Sequence, residues 1–131
     1  MFIEDRIEIK NHEEINNFII TNNSFHDMRI GGFNYNSEQK SAKIFIEEID
    51  NSKTPSQDDV LYQYYFELNE IEEFAIYSDL AFPTYVYECT VSNENELTID
   101  LSNGNITFKS KQIILSVPRI IFERKENEQK S

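Results

Sequence analysis

Apolar and polar residues alternate at every second position along most of the chain after Ser24. That alternation limits more than any other feature what the chain can fold into. Val60, Tyr62, Tyr64, Phe66 and Leu68 alternate with Leu61, Gln63, Tyr65 and Glu67, and Ala42, Ile44 and Ile46 alternate with Lys43 and Glu47. A period of two sends successive side chains to opposite faces of a strand, so these runs predict strands with one face toward a core. Phe45 and Ile49 make the second face of the latter strand partly apolar as well. Across Phe25–Tyr35 the apolar parity is even before Gly31-Gly32 (Met28, Ile30) and odd after it (Phe33, Tyr35). Such a flip at a glycine pair predicts one inserted bulge residue. Tyr85, Tyr87, Cys89 and Val91 predict a further strand face, and Ile113, Leu115 and Val117 another, stopped or demoted to an edge by Pro118.

Asn103-Gly104 is a favoured centre for a two-residue type I′ hairpin. A turn there pairs Leu101 with Ile106 and Ile99 with Phe108 on one face, and Asp100 with Thr107 and Thr98 with Lys109 on the other. The clearest helical spacing is in the N-terminal part. Asn11 followed by Glu14 has the spacing of a capping box, and Ile15, Phe18 and Ile19 recur at the helical interval behind it. These residues predict a helix over about 12–22, with Asn22-Asn23 suited to a left-handed exit. Residues 2–10 (Ile3, Ile7, Ile9) fit an opening strand, and Asn51–Asp59 a loop. Residues 69–80 fit a helix through Ile71, Phe74 and Ala75, or a continued strand through Phe74 and Ile76. Strands follow one another without regular intervening helices, so the expected fold is mainly β (α+β). It is either an antiparallel sheet or a two-sheet sandwich with one N-terminal helix. The length of 131 residues suits one domain, read as 1–123 with a flexible polar tail at 124–131.

Charge narrows the function. Twenty-four Asp and Glu against 12 Lys and Arg give −12 at pH 7. That field repels phosphate backbones and anionic lipids, so neither a nucleic acid nor a membrane is expected as partner. No apolar run approaches the ~20 residues of a membrane span, and Met1–Arg6 holds acids where a signal peptide would hold bases. Cys89 is the single cysteine. A reducing compartment fits, and the expected location is cytoplasmic.

The charge is unevenly spread. Residues 1–90 carry 18 acids and 6 bases, whereas 91–131 carry 6 of each. Within 54–90 there are eight acids, no base, and six of the seven tyrosines. Tyrosine supplies a large rigid contact surface at interfaces, and surrounding acids steer a cationic protein partner. The candidate partner-binding residues are Tyr65, Glu67, Glu70, Glu72, Glu73, Tyr77 and Asp79. Tyr62, Tyr64, Tyr85 and Tyr87 share the parity of their apolar neighbours and are expected in the core, with Tyr65 and Tyr77 exposed. The alternative is that the tyrosines simply fill a β core and the acids form a solvated rim.

Residues for catalysis are scarce. There is no glycine-rich phosphate loop and no Cys-x-x-Cys, and the two histidines are His12 and His26. His26-Asp27 is the one constellation to weigh, as the site of a small-molecule-binding or enzymatic β domain. Adjacent strand residues face opposite ways, so that pair would need a distant acid such as Asp79 or Glu88. The plainer reading is a strand-end histidine beside an aspartate that caps a turn. Cys89 reads as a small buried hydrophobe, since no Lys or Arg in 54–90 could lower its pKa. No catalytic residue, metal ligand or cofactor is implied, and the expectation is that the chain is not an enzyme.

The stretch Ser24-Phe25-His26-Asp27-Met28-Arg29-Ile30, followed by an aromatic strand and by alternating Leu- and Ile-rich strands, resembles a group of small bacterial β-rich proteins. These carry a Phe-His-Asp segment near the N-terminus, and some stand beside polymorphic toxins as suspected immunity proteins. The resemblance implies a binding protein that blocks a toxin, with no cofactor and no catalytic residues. A non-enzymatic protein-binding domain is therefore the leading expectation. A homodimer formed through an exposed β edge is a further one.

Overall fold

The computed structural model describes residues 6–48, 62–78 and 84–118. Asp79, the Asn51–Asp59 loop and the 124–131 tail lie outside them. Helix α1 spans His12–Thr21 and starts as its cap residue dictates. Asn11 Oδ1 accepts the backbone N–H groups of Glu13 at 2.8 Å and Glu14 at 3.2 Å, satisfying two donors that the first helical turn leaves free. Ile15 and Ile19 are fully buried and Phe18 packs against the same core. The chain leaves the helix through Asn23, Ser24 and Phe25, all at positive φ (60°, 56° and 58°). A left-handed backbone costs a non-glycine residue roughly 1–3 kcal/mol. Burying a phenylalanine contributes roughly 1.5–3 kcal/mol in return. Phe25 is fully buried, stacked on Tyr64 with ring centroids 5.2 Å apart and edge-on to Phe66 at 6.3 Å.

Seven strands form one antiparallel sheet: β1 Arg6–Ile9, β2 Arg29–Asn36, β3 Ser41–Glu47, β4 Gln63–Ser78, β5 Val86–Val91, β6 Glu96–Leu101 and β7 Gly104–Pro118. Their order is β2-β3-β4-β7-β6-β5, with β1 also on β7. The ambiguous segment after Asn69 is strand, because β4 pairs with β7 from Tyr65↔Ser116 to Ser78↔Gly104. The two runs seen in the C-terminal third are likewise one strand, β7. The inserted residue expected at Gly31-Gly32 is present, as a register shift between Ile30 and Gly32.

The sheet is folded over at the middle of its two longest strands. Glu70 has φ 54°, and the β4–β7 register shifts between Ile71 and Glu73. The buried parity changes there on both strands, from Leu68 to Ile71 and from Ile113 to Ser110. Before this corner, β4 pairs with β3 as well as β7, and β7 with β1; beyond it, β7 pairs with β6 and β6 with β5. The halves share a core of Ile44, Ile46, Phe66 and Leu115 from the first and Val86, Leu97, Ile99 and Phe108 from the second. β2 crosses the second half instead of running alongside one of its strands. Along its length it meets the residue before β5 at the Arg29↔Tyr85 bridge, β7 where Phe33 contacts Phe108, and β4 where Tyr35 contacts Phe74. The N–H of Ile30 donates to the Thr84 carbonyl at 3.0 Å and that of Val86 to the Met28 carbonyl at 2.7 Å, joining the sheet's two ends.

Two expectations about register and facing are corrected. The residues at the hairpin tip are Ser102 and Asn103, neither at positive φ, so the turn is not type I′. Leu101 faces Gly104 and Asp100 faces Asn105; Ile99 pairs with Ile106, Leu97 with Phe108 and Thr98 with Thr107. The two-residue offset from the expected register keeps every side chain on its expected face. Gly104 is required by close approach: its φ is 148°, and a Cβ there would collide with the Tyr77 carbonyl oxygen on β4. The second correction concerns β5. A register shift between Val86 and Glu88 makes Tyr87 an extra residue, so Val86, Cys89 and Val91 point inward while Tyr85 and Tyr87 point outward.

Candidate functional site

Residues directly opposite on antiparallel strands share a face, so the register shows what surrounds each candidate. The six described partner-binding candidates do not form one acidic face. Tyr65 and Glu67 lie on the outer surface of the first half. Lys43 is directly opposite Glu67, and Tyr65 is half-buried between the Arg6 guanidinium, 4.8 Å from its ring centroid, and the Lys43 ammonium at 5.0 Å. Arg6 is fixed there by donating from Nε to Ser116 Oγ at 2.7 Å and from Nη2 to the Gln63 carbonyl at 2.7 Å. Glu70 and Glu72 stand at the corner, beside a polar cleft whose other walls include Lys40 and Lys111. Glu73 faces Lys109. The window without bases is therefore supplied with lysines by its neighbours in space. Asp79 lies outside the described residues.

Tyr77 is the exception. It is 69% exposed and begins a row straight across the second half: Tyr77↔Asn105 on β4 and β7, Asn105↔Asp100 onto β6, and Asp100↔Glu88 onto β5. At ~4.8 Å between strands the row spans roughly 15 Å. No base belongs to it, and two carboxylates meet directly, an arrangement that destabilises a sheet. The bulge adds Tyr87, 64% exposed, beside Glu88. The next row, Ala75–Thr107–Thr98–Thr90, is uncharged and flat. Sequence reasoning did not place Tyr85, Tyr87, Glu88 and Asp100 together on the outer surface. Without the bulge, parity places those tyrosines in the core.

His26 and Asp27 were expected to point apart, as neighbours on a strand. They sit instead at the exit of a left-handed turn, Asp27 at φ 71°, and His26 Nε2 comes within 3.5 Å of Asp27 Oδ1. His26 Nδ1 donates to the Tyr87 carbonyl oxygen at 3.0 Å, and its ring lies edge-on to that of Tyr87. Both side chains stand in solvent. The arrangement links the turn to the bulge of β5, so His26 borders the Tyr87–Glu88 end of the row.

Burial shifts two further titratable groups, Cys89 and Glu48. Burial pushes the Cys89 thiol far above its usual range, with the nearby Asp100 and Glu88 charges adding to it. Burial also raises the Glu48 carboxyl above its ordinary 4.5, opposed by hydrogen bonds from the Tyr62 N–H and the Tyr64 hydroxyl. Among the described residues, no group of three His, Cys, Asp or Glu side chains is placed to hold a metal ion. No helix among them is long and apolar enough to cross a membrane. In comparisons with known proteins, no family model, no curated protein and no solved structure matches this chain.

Proposed function

We propose that the chain is a non-enzymatic binding domain that takes a cationic protein partner on the outer face of β4, β7, β6 and β5. One observation carries this reading: the like-charged Glu88↔Asp100 pair, set in a base-free row between two strongly exposed tyrosines, Tyr77 and Tyr87. A partner lysine or arginine between the carboxylates would relieve their repulsion, and the flanking rings would bury its apolar stem. The Phe-His-Asp resemblance adds a biological setting, in which the partner is a basic toxin and the chain its immunity protein. Glu67, Glu70, Glu72 and Glu73 then contribute to the long-range field but not to the contact.

The test is an amide-resolved NMR titration with a short peptide of alternating lysine, arginine and tyrosine. Shift changes should centre on Tyr77, Tyr87, Glu88, Asp100 and Asn105, and should weaken steeply with added salt. Changes centred on the Glu70–Glu72 corner, or a response indifferent to salt, would sink the proposal.

A further inference from the structure

A cleft separate from that outer face lies inside the fold. Two successive glycines in the β2 bulge create it. A Cβ on Gly31 would run into the Glu47 side chain, and one on Gly32 would lie 3.5 Å from Phe45. Both Cβ directions therefore point to the outer side of the sheet, and no side chain projects inward between Ile30 and Phe33. The space left between β2 and the strands it crosses is a cleft of about 370 Å³. Its floor is Ile44, Ile76, Leu101 and Ile106, and Phe33 stands at its exposed rim. Among the described lining residues Thr84 contributes the one side-chain hydroxyl, which donates to Asn103 Oδ1 at 2.5 Å and keeps its oxygen lone pairs for a further donor.

We infer that this cleft binds a small, neutral, apolar molecule: an aromatic ring carrying a second ring or a short alkyl group, with at most one hydrogen-bonding group. Size, lining and charge each support that class. Ligand pockets start at about 300 Å³, and an apolar cavity of about 150 Å³ already accepts benzene. None of the nine described lining residues is charged. An acid would enter without a counter-ion among them, against the field of a chain of net charge −12. A cation would find no carboxylate among the described walls.

The experiment is a fluorescence titration of the full chain with N-phenyl-1-naphthylamine, a neutral two-ring probe, with indole as competitor. Saturable one-to-one binding is expected, with displacement by indole. Ile76→Phe, which fills the cleft, should weaken probe binding about tenfold or more. Asp100→Lys should leave it unchanged, which separates this site from the protein-binding face. Leu101→Phe provides a second filling variant if Ile76→Phe fails to fold. In the wild type, NOEs should connect the probe to the methyl groups of Ile30, Ile44 and Ile106. Absence of saturable binding up to the probe's solubility limit overturns the inference. So does unchanged affinity in a folded filling variant. NOEs from the same methyl groups to Leu80 or Phe82, on the segment that joins Ser78 to Thr84, would also overturn it. The occupant would then be the chain itself.

Discussion

The two halves of the folded sheet share strands β4 and β7 but present outer surfaces of opposite character. On the first half, charges of both signs are interleaved: Lys43 faces Glu67, and Arg6 and Lys43 close over the Tyr65 ring. On the second, a row of tyrosine, asparagine and two carboxylates runs across four strands without a base, and its tyrosines stand open. Both faces draw on the same base-free stretch of sequence. What separates them is the strand that each residue of β4 finds beside it. Surface charge in a β protein is a property of the register, and a run of acids in the sequence is only half of the sum.

The comparison can be broken most forcefully by removing what anchors the first half. Phe25→Ala deletes a fully buried ring packed on Phe18, Tyr64 and Phe66, and should cost about 3–5 kcal/mol in urea unfolding. Amide exchange in β3 and the start of β4 should accelerate before that in β6. Should β6 open first, the halves are not separately anchored. Gly104→Ala attacks the second half, where an added methyl meets the Tyr77 carbonyl at a φ of 148°. We expect a loss above ~1 kcal/mol, with exchange accelerated at Leu101 and Ser78.

Charge reversals sharpen the contrast on a smaller scale. Asp100→Lys places an opposite charge across from Glu88 and should stabilise by about 0.2–1 kcal/mol while abolishing the peptide response. Glu67→Lys sets one lysine against another, opposite Lys43, and should destabilise by a similar amount with the response intact. Equal thermal shifts of one sign in both variants would refute the difference between the faces.

The smallest effect is expected at Glu48. Burial raises its folded pKa above 4.5, so the folded state binds more protons than the unfolded state just above that pH. Stability from this group is fully present below pH 4.5 and is lost as pH rises through the folded pKa. Glu48→Gln should flatten that part of the urea-midpoint profile. An unchanged slope would show that the carboxylate is as well solvated folded as unfolded.

Much of the architecture was legible because it rests on local rules. Asn11 caps α1, the parity flip at Gly31-Gly32 marks its bulge, and the apolar alternation of 62–68 marks β4. The failures share one cause, which is geometry set by a strand distant in the sequence. Gly104 looked like a turn residue because Asn-Gly favours hairpins, yet its lack of a Cβ serves the approach of Tyr77. Tyr87 looked buried because no glycine announces the β5 bulge; Val-Tyr-Glu reads as plain alternation. His26 and Asp27 seemed unable to meet because nothing local distinguishes a left-handed turn ending in Phe25 from the first residues of a strand. The candidate face suffered from such distant geometry too, since among its described residues only Tyr77 belongs to the row.

The joint between β2 and β5 carries a consequence for how the molecule assembles. One bridge and a few backbone hydrogen bonds connect residues 27–30 to residues 84–86, and strands β3 and β4 lie between them in sequence. Joining such distant segments is entropically expensive until the intervening strands are already paired. The β6–β7 hairpin and the β2–β3 pair are local and can form early, whereas this joint must wait for both halves to exist. It is therefore expected to close late in folding, after its two sides have formed.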